Sequence, residues 1–155
     1  MENENPLHAA ERFLHERIPL TRAMGLRVIA SDEDGFAVEA PVALNSNHLN
    51  TAFGGSINAV ATLAAYGLLW LELREEPADV VIRDSKIRFL RPIRETIAAY
   101  CARPERAELA QFLATLHTQG KARIGLRVEV REHDLVAAEL QATFVAVRRT
   151  SNPAQ

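Results

Sequence analysis

Two adjacent glycines stand where a polar loop gives way to a long apolar run: Gly54–Gly55–Ser56, followed by helix-forming residues as far as Glu75. Glycines at a helix start let another molecule approach the backbone closely. The first amides of a helix have no partner within it, and the helix dipole makes them electropositive. Such amides suit a carbonyl oxygen that becomes an oxyanion during reaction. The same glycines equally suit tight packing of the helix against a neighbour. Within the apolar run, Asn58, Thr62 and Tyr66 recur at every fourth residue and share one helix face. That stripe either borders a site or a subunit contact, or its polar groups bond back to their own helix.

Other residues offer proton chemistry or charge. His48 sits among Asn45, Ser46, Asn47, Asn50 and Thr51, residues that favour loops. It titrates near neutrality and is either a base or a solvated loop side chain. Asp84 follows the apolar Val80, Val81 and Ile82. Partial burial there raises a carboxyl pKa towards useful values; the other reading is an ion pair with Lys86 or Arg88. Arg88, Arg91 and Arg94 form one basic group, and Lys121, Arg123 and Arg127 form another. Each is either an anion patch or a solvated face. His8, His15, His117 and His133 are scattered, and Cys101 reads as a small core residue. With one cysteine and no His-x-x-x-His spacing, no metal site is expected. Neither a P-loop nor a GxGxxG fingerprint occurs, which disfavours nucleotide hydrolysis and hydride transfer.

The elements that must hold these residues follow from periodicity. Asn5 and Pro6 cap and open a first helix, whose stripe of Leu7, Ala10, Phe13 and Leu14 ends at Pro19. Met24–Gly25 opens a strand through Ile29; an acidic turn and a second strand over 36–42 complete a hairpin. Residues 43–53 read as a loop, and the apolar helix runs from about Ser56 to Glu75. Strands are expected over 80–91 and 96–102, the first with a slip of alternation between Asp84 and Ile87 that suggests a bulge. Leu109, Phe112, Leu113 and Leu116 mark a short helix ended by Gly120. Ile124, Leu126, Val128 and Val130 alternate strictly with polar residues and glycine, giving a strand with one wet face. A turn at His133–Asp134 leads to a last strand over 135–147. Strands gathered around a single helix predict an α+β domain with an antiparallel sheet.

The chain has 155 residues, 48 % hydrophobic and 25 % charged, which suits one globular domain and excludes a disordered or collagen-like chain. A net charge of −2 argues against a general nucleic-acid or membrane-surface binder. The N-terminus lacks a basic segment followed by an apolar run, and the apolar stretch 57–71 is short for a span of about 20 residues. These features predict a cytoplasmic protein with no membrane and no nucleic-acid partner.

The decapeptide Asn47–His48–Leu49–Asn50–Thr51–Ala52–Phe53–Gly54–Gly55–Ser56 before an apolar helix resembles the hotdog thioesterases. Asp84–Ser85–Lys86–Ile87–Arg88–Phe89–Leu90–Arg91–Pro92 looks like their third strand, and Met24–Gly25–Leu26 also fits. The nearest resemblance is to the bacterial thioesterase-like domain found alone or fused behind an acetyltransferase domain. It covers about residues 18–147 of a single domain spanning 1–155.

The resemblance implies a hotdog fold, with a long central helix wrapped by an antiparallel sheet, in a homodimer or homotetramer with acyl-thioester sites at the subunit interface. On this reading the Gly54–Gly55 amides hold the thioester carbonyl, with Ser56, His48 and Asn58 as further substrate-binding residues. Asn47 matches the family's Asn seven residues before the first glycine. Thr62 stands where the family places an acidic residue, and Phe53 where a His is frequent. Asn47, Thr62 and Asp84 are then the residues to orient water, since a threonine hydroxyl is no base at neutral pH. Lys121, Arg123 and Arg91 are expected at the phosphates of coenzyme A, which enters as part of the substrate and not as a cofactor. Three functions follow: an acyl-CoA or acyl-carrier-protein thioesterase, a non-catalytic acyl-thioester binding protein, and an acyl-thioester hydratase or dehydratase. The last ranks lowest, because residues 54–73 lack the Asp and His such enzymes carry.

Overall fold

The computed structural model describes residues 5–150. Asn5 caps α1 (Pro6–Arg17), its Oδ1 accepting from Leu7 N at 3.0 Å, and Pro6 occupies the first turn where no N–H is needed. A short α2 (Leu20–Ala23) follows, then β1 (Arg27–Ser31) and β2 (Gly35–Pro41). A 3₁₀ turn at Val42–Leu44 leads through the polar loop to α3 (Gly54–Glu72). The chain continues with β3 (Ala78–Phe89), β4 (Thr96–Ala102), α4 (Arg106–Gln119), β5 (Lys121–Glu132) and β6 (Leu135–Arg148). The six strands form one antiparallel sheet in the order β1-β2-β4-β5-β6-β3. This is the expected α+β hotdog arrangement, with α3 as the central helix.

Several boundaries differ from those expected. Met24 and Gly25 belong to no strand: α2 precedes them, and Gly25 turns the chain at φ 66° before β1 starts at Arg27. α3 begins at Gly54, because the glycines themselves take helical geometry, and it closes at Leu73, whose N–H bonds Leu69 O at 2.9 Å.

The inner face of the sheet packs on α3. Phe36, Val38 and Ala40 of β2 lie opposite Cys101, Ala99 and Ile97 of β4, all fully buried. On β5 and β6 the pairs Ile124–Phe144, Leu126–Ala142, Val128–Leu140 and Val130–Ala138 continue that face. α3 meets it with Val60, Ala61, Ala64, Ala65 and Leu68, and Gly67 lets the Phe36 ring lie against the helix backbone. By length and composition α3 passes as a membrane span, but here its apolar side chains fill the protein core. Arg103 pairs with Glu72 and so ties the chain after β4 to the end of α3.

The outer face carries Lys121, Arg123 and Arg127 of β5 opposite Val147, Val145 and Gln141 of β6. α4, ended by Gly120 at φ 73°, runs beside β5, and Arg148 of β6 bonds the carbonyls of Leu116 and His117 at its C-terminus.

In β3 the alternation slips between Ile82 and Asp84, earlier than expected, and Arg83 is the additional residue. Val80 and Ile82 lie opposite the inner-face residues Ala146 and Phe144. Beyond the bulge Ser85, Ile87 and Phe89 do the same, opposite Ala142, Leu140 and Ala138.

Candidate active site

The loop before α3 is held by its own asparagines. Asn47 Oδ1 accepts from Leu49 N at 2.9 Å and Thr51 N at 3.2 Å, while its Nδ2 donates to Thr51 Oγ1 at 2.9 Å. Asn50 takes φ 59°, a backbone geometry that asparagine tolerates. Ala52 N donates to Ile93 O at 2.8 Å and Phe53 N to Asn45 O at 2.7 Å, which delivers the chain to the helix start. His48 lies exposed in this loop.

No side chain caps α3; the residue before it is Phe53. Ile57 N reaches Phe53 O at 3.0 Å, so the amides of Gly54, Gly55 and Ser56 precede the first closed helical bond. Gly55 is exposed, and Gly54 and Ser56 are half-buried. The Phe53 ring lies over Gly55, where a Cβ would collide with it. The Phe89 ring lies against Gly54, 3.6 Å from where a Cβ would stand. Two half-exposed aromatic rings thus flank three backbone donors. Phe89 carried no signal in the sequence beyond its place in a strand. Its role follows from the β3 bulge that turns it inward.

Asn58, Thr62 and Tyr66 lie along one face of α3, each half-buried, with Thr62 Oγ1 3.4 Å from Asn58 Oδ1. Tyr66 stacks on Phe13 of α1 at a centroid distance of 6.5 Å, and Phe13 in turn on Trp70 at 4.4 Å. Burial, with the nearby Asp79 carboxylate adding to it, pushes the Tyr66 phenol above its ordinary range; Arg17 opposes them. The structure therefore places Gly54, Gly55, Ser56 and Asn58 in the first turns of one helix, with Asn47 and His48 in the adjoining loop and Thr62 further along the same helix.

Asp84 is elsewhere. Opposite Thr143 it projects to the outer face, away from α3. Its side chain is 67 % exposed and 3.7 Å from Arg83, so the expected partial burial is not found. The bulge is the reason: without the extra residue Asp84 would point inward. Lys121 and Arg123 also lie on the outer face, where they and Arg83 line an open groove of 1360 Å³ beside α4. They sit level with Asp79 and Val81 at the start of β3, whereas Gly54 meets Phe89 at its end. Of the three expected phosphate contacts only Arg91, two residues beyond Phe89 and exposed, lies at the glycine end. Three of the remaining histidines make separate local contacts: His15 with Leu26 O at 2.8 Å, His117 with Glu76 at 2.9 Å and His133 with Glu95 at 3.9 Å. Among the described residues no three His, Cys, Asp or Glu side chains group to hold a metal ion.

Asn45, read only as a loop former from the sequence, is 4 % exposed and donates through Nδ2 to Met24 O at 2.9 Å and Pro41 O at 2.8 Å. It helps to wall a 330 Å³ pocket that Gly55 and Ser56 also line.

Residues 7–148 match the family described as putative thioesterase (yiiD_Cterm). Three solved structures share the fold. A putative thioesterase from Shewanella oneidensis is 26 % identical, with TM-score 0.82 over 92 % of this chain and 97 % of that one. A protein of unknown function from Chlorobaculum tepidum is 25 % identical, with TM-score 0.86 over 92 % and 94 %. A thioesterase from Haemophilus influenzae, 18 % identical with TM-score 0.72 over 92 % and 90 %, shares the fold.

Proposed function

The chain belongs to this putative thioesterase family, and from that premise we propose that it hydrolyses acyl thioesters of coenzyme A or of an acyl carrier protein. The observation that carries the proposal is the uncapped, accessible start of α3, whose Gly54, Gly55 and Ser56 amides face no side-chain acceptor. Three backbone donors at a helix N-terminus bind a developing oxyanion without reorganising. Water adds to the thioester carbonyl, negative charge collects on its oxygen at these amides, and the carbon–sulfur bond then breaks. The thiolate takes up the proton, leaving free thiol and carboxylic acid.

Thr62 lies eight residues beyond Gly54, about 12 Å along the axis, too far to serve a carbonyl held at its own helix start. It serves the site of a second protomer. β3 is an edge strand twelve residues long, paired on one side only, and it exposes Val81, Ile82 and Phe89. A two-fold pairing of β3 edges sets two α3 helices antiparallel and brings each Thr62 towards the partner's glycine doublet. There Thr62 and Asn58 orient the water, Asn47 holds the loop, and His48 of that loop lies beside the substrate. The same two-fold carries the Lys121–Arg123 end of one protomer towards the glycine end of the other, where Arg91 already lies. Asp84, on the outer face, is left out of this chemistry.

A second reading rests on one observation: α3 carries no carboxylate between Gly54 and Leu71. On that reading the protein binds acyl thioesters without cleaving them. A panel of acyl-CoAs followed by thiol release decides between the two. Release above the buffer blank, with the carboxylic acid found by mass, supports hydrolysis. Saturable binding without release supports the binding protein, and a product heavier by one water with the thioester intact indicates hydration. The protein is expected to sediment as a dimer or tetramer and to reside in the cytoplasm.

A further inference from the structure

The pocket beside the glycine doublet has a composition of its own. Leu20, Ala23 and Met24 of the α2 region, Leu44, Phe53 and Ala59 give it apolar walls. Leu20, Leu44 and Phe53 are more than half exposed although they are large apolar side chains. Gly55 and Ser56 are among its lining residues, so a thioester whose carbonyl is held by those amides has this hollow beside it. At 330 Å³ it lies at the lower end of the range for small-molecule sites, about 300–1,000 Å³. Gly55 to Ala59 is one turn of helix, about 6 Å of rise, the length of a short acyl chain.

Asn45 ties the backbone of the walls together. Asn45 Nδ2 binds the carbonyls of Met24 and Pro41, and Asn45 O accepts from Phe53 N. Both amide hydrogens are thereby used, and these two carbonyl partners fix which way the amide points. No donor among the described residues reaches Asn45 Oδ1. No fully occluded side-chain polar atom there lacks a partner either, so this oxygen is not sealed off, and Asn45 is one of the residues that line the pocket. Ser56 is the other residue of the lining with a polar side chain. A small apolar hollow with one fixed, nearly buried acceptor is built for a small apolar group that carries one hydrogen-bond donor.

We propose that the hollow between α2 and the start of α3 holds the acyl group of the substrate within a single chain. It selects a short acyl chain bearing a hydroxyl, which donates to Asn45 Oδ1. The proposal rests on the thioester reading above for its substrate class. It differs from that reading in what it requires, namely binding selectivity and not turnover.

Non-hydrolysable S-alkyl thioethers of coenzyme A, titrated calorimetrically into the full chain, separate the two. Butyl is expected to bind several-fold tighter than ethyl, dodecyl no tighter than butyl, and 3-hydroxybutyl about tenfold tighter than butyl. Ala59→Phe, which fills the hollow, is expected to erase the gain of butyl over ethyl, with its fold checked by circular dichroism. Affinity that keeps rising to dodecyl, a hydroxyl that gains nothing, or no binding by any thioether overturns the proposal. If the expected order holds while the matching thioesters release no thiol, hydrolysis fails and the pocket assignment stands.

Discussion

Thr62 Oγ1 stands 3.4 Å from Asn58 Oδ1, one helical turn away on the half-buried stripe of α3. The pair offers a hydroxyl and an amide but no group that takes a proton at neutral pH. Thr62→Ala removes one hydrogen-bonding group of about 1 kcal/mol, so kcat is expected to fall roughly fivefold at nearly constant KM. Thr62→Asp supplies the missing carboxylate and is expected to raise kcat by about 10². Steady-state thiol release reads both; an aspartate variant no faster than the parent shows that proton removal is not limited at this position.

Gly55 is exposed under the Phe53 ring, and a Cβ there collides with that ring. Gly55→Ala forces the ring to swing, while the change within the helix itself favours folding by about 0.5–1 kcal/mol. The melting temperature is expected to hold or rise and kcat/KM to fall at least about tenfold, because the displaced ring covers the amides. Adding Phe53→Ala removes the clash and is expected to restore much of the loss; strict additivity of the two changes contradicts this coupling.

Gly67 is buried against Phe36, and a Cβ there also collides with the ring. Here the ring has nowhere to go, since Phe36 is fully buried. Overpacking of about 1–3 kcal/mol outweighs the helix-propensity gain of about 1 kcal/mol. Urea titration is expected to show a net loss of stability for Gly67→Ala and partial recovery when Phe36→Leu is added.

Burial pushes the Cys101 thiol up to about 12. A folded-state pKa raised above the unfolded value means that the native state holds this proton more tightly. Its contribution to stability is complete below the unfolded thiol pKa and is lost as pH rises through about 12. Denaturation midpoints are expected to decline from pH 9 upwards, less steeply in Cys101→Ala. Iodoacetamide is expected to spare the native thiol at pH 7.5 and to label it once the protein is unfolded in urea.

Local chemistry written in neighbouring residues was readable from the chain. Asn5 with Pro6, Gly120 at the end of α4, and the strict alternation of β5 all lie in short windows and reappear as expected. The glycine doublet at the start of the apolar helix was equally plain. What escaped depends on distant partners. Asn45 looks like any loop asparagine until Met24 O, twenty-one residues away, accepts a hydrogen bond from its Nδ2. α2 is four residues long, too short to show a period. Asp84 seemed suited to a base because the sequence does not say which side of the sheet it faces.

The Arg83 bulge has a further consequence. Side chains on a strand obey odd–even parity, and one supernumerary residue resets it for everything downstream. Were the strand to pair in full register at unchanged length, Ile87 and Phe89 would trade places with Asp84, Lys86 and Arg88. The greasy lining beside the central rod would become a charged one. A single kink in the ladder thus decides whether this cleft is lined by apolar or by charged side chains.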